Sequence, residues 1–249
     1  MNRLFHKSNS RGSLLSPGGF TLIELLVVLS IVTLLIAILL PALHKARERA
    51  TDVRCLSNLK QYGICVLTYA EDNKGIMANA GTELVGAVTQ VRPFNRILIK
   101  GNYINRNITV CPSFTPESYI GTSVGNWNTY GVNYKTVPSS TNEYESNVPG
   151  TISLYTNMYL IRSPAAYFTV GDTVDTGAIK TQFSYMYFNH SKKGLHLRHG
   201  VDQAQVLFAD GHCTANGKDD LKTNYFVETQ SSNFMFVYDR KFNQITILP

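Results

Sequence analysis

The chain has 249 residues, of which 44% are hydrophobic, 16% charged and 11% aromatic; this balance supports a buried core and excludes a mostly disordered or collagen-like polymer. Its 23 basic and 17 acidic residues leave a formal charge of +6, and three of the basic ones, Arg3, Lys7 and Arg11, precede the first long apolar run. The remainder has no dense basic block, so nucleic acid is not an expected partner.

From Phe20 to Leu40 the chain reads FTLIELLVVLSIVTLLIAILL, in which only Thr21, Glu24, Ser30 and Thr33 are polar. As a helix this run rises about 30 Å, the thickness of a hydrocarbon core, and predicts a membrane-spanning helix over 20–40. A removable secretory signal also begins with positive charge and an apolar run. Two features oppose that reading. Gly18-Gly19 precedes the run instead of following it, and a carboxylate such as Glu24 is costly in lipid and signals a partner. The basic residues on the short leading side place 1–19 in the cytoplasm and everything beyond Leu40 across the membrane.

Gly19-Phe20-Thr21-Leu22-Ile23-Glu24 followed by the apolar stretch resembles the class III signal of type IV prepilins and type II secretion pseudopilins. The resemblance implies that a prepilin peptidase, a membrane aspartyl enzyme that is also an N-methyltransferase, cuts between Gly19 and Phe20 and methylates Phe20. It also implies that Glu24 neutralises the amino terminus of a neighbouring subunit during assembly. An ammonium and a carboxylate at membrane depth reduce their joint desolvation penalty by pairing, and a pair between subunits sets their axial register; pairing within one chain and a place near the headgroups are the competing roles.

The implied function is that of a structural, non-enzymatic subunit of a type IV pilus or type II secretion-like pseudopilus, assembled through its N-terminal helix. The implied fold is α+β, a long N-terminal helix packed on a mainly antiparallel β-sheet head. The implied partners are the peptidase, other pilin or pseudopilin subunits, the lipid bilayer, and an inner-membrane assembly platform with a separate ATPase. The chain would be a single-pass protein of the cytoplasmic membrane, its N-terminus cytoplasmic and its head extracytoplasmic. Two other classes compete: a membrane-tethered binding module that does not polymerise, and an anchored metal-dependent enzyme.

Pro41 matches the position at which many pilin helices bend, and its missing N–H and ring clash supply a cause for a kink; an abrupt helix end there is the alternative. From 41 to 74 the composition predicts an amphipathic continuation, with apolar residues at Leu56, Leu59, Ile64, Val66, Leu67 and Tyr69 at mostly helical spacing. Together the two stretches make roughly 50 residues of helix, about 75 Å long. Gly63 marks either a close contact or a break, and Asp72-Asn73-Lys74-Gly75 is the predicted stop. The run from Arg54 to Gln61 resembles a segment of the large pilin-like proteins of planctomycete and related bacteria.

The head, 75–249, shows short aromatic and β-branched stretches at Thr109–Cys111, Ile152–Ile161, Ala166–Val170 and Phe183–Phe188, which predict strands between turns. The polar tract from Pro112 to Gly150 reads as loop, with Trp127, Tyr130 and Tyr134 as candidate anchors or contacts. Val206–Phe208, Asp210-Gly211 and His212 predict a hairpin with positive φ at the glycine. The R-H-G and F-A-D-G-H runs around it also resemble the C-terminal signature of the same pilin-like group.

His190, His196, His199 and His212 with Asp202 and Asp210 supply metal-ligand types, and the hairpin offers a route to bring His199 near His212. His199, Asp210 and His212 are therefore weak candidates for a metal or an anchored-enzyme site. Asp172, Asp175, Asp219 and Asp220 are weak calcium candidates. The chain has no H-E-x-x-H, G-x-S-x-G or P-loop, and no cofactor is implied. The four cysteines, Cys55, Cys65, Cys111 and Cys213, permit two disulfides outside the cytoplasm in three pairings, or buried thiols. Cys55 and Cys65 are about 15 Å apart along a continuous helix and cannot pair unless it breaks.

Overall fold

The computed structural model describes residues 19–85, 88–114, 129–133, 143–145, 152–177, 180–186, 193–228 and 235–248. Residues 1–18, Trp127, Tyr134 and His190 lie outside them.

The first element, α1, runs from Leu22 to Asp72 and contains Pro41. No abrupt end occurs at the proline. A proline inside a helix costs about 3 kcal/mol, and here it is flanked on both sides by turns of Leu, Ala, Lys, Arg and Glu, which favour helix. The stop falls where the sequence places it. Lys74 and Gly75 take positive φ of 58° and 80°, and the Gly75 N–H reaches back to the Ala70 carbonyl at 2.7 Å, a helix-ending bond that only a left-handed turn allows.

The chain divides into two units, Met1–Ala46 and Arg47–Pro249, so the last turns of α1 belong to the head unit. In the first unit the apolar side chains of 20–40 are exposed on every side, a distribution that water does not tolerate around an isolated helix. Among the described residues α1 is the single helix long and apolar enough to cross a membrane.

In the second unit α1 buries Cys55, Asn58, Leu59, Tyr62, Gly63, Val66 and Ala70, which recur at intervals of three and four and so form one stripe. Leu56, Leu67 and Tyr69 flank it half-buried, whereas Ile64 faces outward at 66% exposure. Gly63 proves to be a close contact and not a break, because a Cβ there would stand 2.7 Å from a Leu207 methyl.

The described strands of the head are β1 (Ile76–Val85), β2 (Val88–Pro93), β3 (Gly131–Asn133), β4 (Glu143–Glu145), β5 (Ile152–Asn157), β6 (Phe168–Gly171), β7 (Thr173–Asp175), β8 (Tyr185–Met186), β9 (Lys193–His196), β10 (Ala204–Phe208), β11 (Cys213–Asn216), β12 (Met235–Tyr238) and β13 (Gln244–Ile247), with short helices α2 (Phe94–Lys100) and α3 (Lys218–Glu228). They form three sheets, ordered β2-β1-β5-β4, β11-β10-β6-β3-β8 and β13-β12-β9-β7. Pairing is antiparallel except between β12 and β9 and between β3 and β8. The architecture is α+β with a mainly antiparallel head, but one sheet is replaced by three.

Three strand expectations change. Thr109–Cys111 forms no strand; it follows a 3-10 turn at Arg106–Ile108 and is held by side chains, with Gln182 bonding both the Cys111 N–H and carbonyl. Of the stretch Phe183–Phe188, residues 183–186 are described and hold the strand Tyr185–Met186, and Ile152–Ile161 becomes β5 followed by a 3-10 turn at Met158–Leu160.

Strand β10 is buried along its whole length and separates two cores. Leu207 joins the α1 stripe, Tyr130, Val132 and Val170 in one core. Val206 and Phe208 point the other way, as alternation along a strand requires, into a second core with Phe168, Leu195, Leu221 and Val237. A bulge makes this division possible. Leu207 opposes Val170 and Phe208 opposes Phe168, leaving Thr169 as the extra residue, so Phe168 and Val170 serve different cores despite their even spacing.

Candidate functional site: the processing segment and a buried ion chain

At the start of α1 the Thr21 hydroxyl accepts a bond from the Glu24 N–H at 3.2 Å, while Glu24 Oε2 accepts from the Thr21 N–H at 2.9 Å and from its hydroxyl at 2.8 Å. This reciprocal capping box satisfies donors that a helix N-terminus otherwise leaves open. The glutamate in the apolar run therefore closes the helix end in the single chain. Gly19 and Phe20 lie just outside the helix, both exposed, with Phe20 at 72%.

Residues 17–40, which span this cap and the apolar helix, match the family model described as the prokaryotic N-terminal methylation motif. The chain is pilin-like. Over 61 residues it is 41% identical to the type IV wide pilus major component PilA4 of Thermus thermophilus, an alignment that covers 24% of this chain and 47% of that relative. The chain thus spans about half the length of the curated relative it matches, and the likeness covers a quarter of its own residues. No solved structure matches it.

The head of this pilin-like chain holds a second arrangement, which hydropathy does not show. Asp52 on α1, Asp172 between β6 and β7, and Arg198 and His199 between β9 and β10 form a continuous chain of charges. His199 Nδ1 lies 2.7 Å from Asp52 Oδ1, and its Nε2 lies 3.0 Å from Asp172 Oδ2. Arg198 Nε is 3.8 Å from Asp172 Oδ1, and its guanidinium also donates to the Thr173 carbonyl and stacks over the Phe114 ring. Asp172 further accepts the Gln205 N–H at 2.8 Å, and Gln205 donates to the Asp52 carbonyl at 2.7 Å.

Position follows from local geometry. His199 and Gln203 exchange both backbone bonds across a tight turn in which Gly200 and Asp202 have positive φ. Gly200 sits there because a Cβ would stand 2.6 Å from the Gln203 carboxamide oxygen and because its own φ suits glycine. The turn delivers His199 inward, and β10 brings Gln205 beneath it.

Burial governs the electrostatics. It pushes the Asp172 carboxyl up, but the cationic His199 and Arg198 outweigh it and hold that group at about 2. It pushes His199 down, but Asp172 outweighs it and raises the imidazolium to about 10. With two anions and two cations the chain is neutral in sum, the condition under which ions remain inside a protein. Replacing Arg198 by leucine leaves Asp172 with a buried charge short of one partner. We expect Arg198→Leu to lower head stability by about 3–5 kcal/mol, read as a lower urea midpoint by near-ultraviolet circular dichroism on the detergent-solubilised chain.

Among the sequence candidates, His199, Asp210 and His212 are not brought together. His212 Nδ1 bonds Asp210 Oδ1 at 2.5 Å, both partly exposed, and its ring stacks on Phe208 at 4.1 Å between centroids. The hairpin turn is as expected, with Gly211 at φ +87°, but it packs against Leu67 of α1 while His199 faces Asp52, Asp172 and Cys111. Asp172 takes part in this ion chain, and Asp219 and Asp220 occupy the first turn of α3. Tyr130 is a core anchor, its hydroxyl donating to the Cys55 carbonyl at 3.1 Å. All four cysteines are free thiols. Asp52 carried no sequence signal, since one acidic residue on a helical face has no distinguishing pattern.

Proposed function

We propose that the chain is a membrane-anchored structural subunit, with no catalytic role, of a type IV pilus-like or secretion pseudopilus-like filament. The observation that carries this reading is the coincidence of the methylation motif with a helix whose apolar half is exposed all round and whose first turn holds Glu24. Prepilin peptidase cleaves between Gly19 and Phe20 and methylates Phe20. Leader 1–19 stays cytoplasmic, 20–40 crosses the membrane and the head is extracytoplasmic. Pro41 then lies where the helix leaves the hydrocarbon, a place at which a bend accommodates packing between neighbours.

Assembly follows from charge and apolar area. Leaving lipid, the exposed stretch must be covered by the same stretch of other subunits, and the new ammonium at Phe20 needs an anion inside that bundle. Both Thr21 bonds fall on Glu24 Oε2, which leaves Oε1 to accept a neighbour's ammonium while the cap persists. A separate platform and ATPase supply the work of extraction. Mass spectrometry of the native N-terminus tests the reading: we expect the mature chain to begin at methylated Phe20, and a chain retaining residues 1–19 would refute it.

A further inference from the structure

Beside the ion chain, Cys55 Sγ, Cys111 Sγ and His199 Nε2 lie within 4.8 Å of one another. All three side chains are buried, and they come from separate parts of the fold: α1, the segment after the 3-10 turn at Arg106–Ile108, and the turn between β9 and β10. Cys111 Sγ is 3.3 Å from Nε2, and Asp172 Oδ2 is 3.0 Å from the same nitrogen. In a tetrahedral zinc site, with bonds of ~2.3 Å to sulfur and ~2.0 Å to nitrogen or oxygen, neighbouring donors stand roughly 3.3–3.8 Å apart. The separations of 3.3 Å and 3.0 Å stand at or just below that range.

Two further observations point the same way. His199 Nδ1 is held by Asp52 at 2.7 Å, the carboxylate contact by which metal-bound histidines fix the nitrogen they present. Asp172 is fully buried, yet its Oδ1 accepts no hydrogen bond, so the carboxylate beside Nε2 has unused donor capacity.

We propose that Cys55, Cys111 and His199, with Asp172 as fourth donor and Asp52 orienting the imidazole, form a structural zinc site that ties α1 to the head. Two sulfurs and an imidazole select a soft transition-metal ion over calcium or magnesium. Zinc forms bonds to two thiolates, one imidazole nitrogen and one carboxylate oxygen; the protons of both thiols and of Nε2 pass to solvent, and no electron is transferred. The site leaves no open position for substrate, so its role is stabilisation, and it stands independently of the processing reading.

A Cys55–Cys111 disulfide is the competing fate of two neighbouring thiols outside the cytoplasm, but it engages neither His199 nor Asp172. The full-length chain, purified in detergent without chelator or reductant, should carry about one zinc by elemental mass spectrometry. Cys55 and Cys111 should be reduced and resist alkylation until the ion is chelated. Cys55→Ser and His199→Gln should abolish the bound zinc, while Cys65→Ser and Cys213→Ser should retain it. The wild-type chain supplies a readout free of folding effects: after chelation, added Co²⁺ should produce thiolate charge-transfer and tetrahedral d–d bands. A metal-free chain with Cys55 joined to Cys111, a reduced chain without those cobalt bands, or zinc retained in Cys55→Ser and His199→Gln would overturn the site.

Discussion

Gly19→Ala is expected to leave the whole 249-residue chain in the membrane with its leader attached, processing falling from near completion to undetectable. The strength of this test lies in what the substitution does not disturb. Gly19 is outside α1 and exposed, and a Cβ built there meets nothing within 4 Å, so alanine imposes no clash and no strain on the chain itself. Loss of cleavage therefore reports on the protease's recognition of the residue before the scissile bond. The measurement is the intact mass and N-terminal peptide of the membrane fraction from cells containing prepilin peptidase. Normally processed chain beginning at Phe20 would contradict assignment of the signal.

The second large effect concerns Glu24, where the structure reshapes the choice of variant. Alanine would remove both a charge and half of the Thr21–Glu24 capping box, and loss of a helix cap alone costs about 0.5–2 kcal/mol. Glutamine keeps the cap, since it serves at the same position of such boxes, and removes only the charge. We expect Glu24→Gln to insert and be cleaved normally, yet to fall at least tenfold in incorporation into filaments or cross-linked multimers, because a buried ammonium left without an anion is expensive. Unimpaired assembly of the glutamine variant together with failure of the alanine variant would assign Glu24 to capping instead of subunit pairing.

The features legible in sequence share one property: their determinants are contiguous. The apolar run, the glycine before it, the Thr21-to-Glu24 spacing, the stop at Lys74-Gly75 and the turn at Asp210-Gly211 each depend on residues within a few positions of one another, where backbone preference and hydropathy act directly. The amphipathic stretch 41–74 was legible as a helix, but its buried face was not fully so. Cys55, Asn58 and Gly63 belong to the buried stripe although hydropathy does not favour asparagine or glycine, and Ile64 faces outward although it does. What decided them was the partner surface: Val110's carbonyl for Asn58 and the Leu207 methyl for Gly63.

Sequence by itself determined the long apolar helix and the local turns, because short-range sterics, capping and apolar length suffice for each, while the prepilin-type signal and the α+β class were implied by the family resemblance of contiguous residues. Tertiary structure alone decided the three-sheet division, the bulge that sends Phe168 and Val170 into different cores, and the meeting of Asp52, Cys55, Cys111, Asp172 and His199. Asp52 and His199 are 147 positions apart, and none of these residues has a chemical reason to find the others until burial removes water and makes an unpaired charge costly. The histidine that sequence offered to Asp210 and His212 was claimed instead by the helix, since the β9–β10 turn points it there.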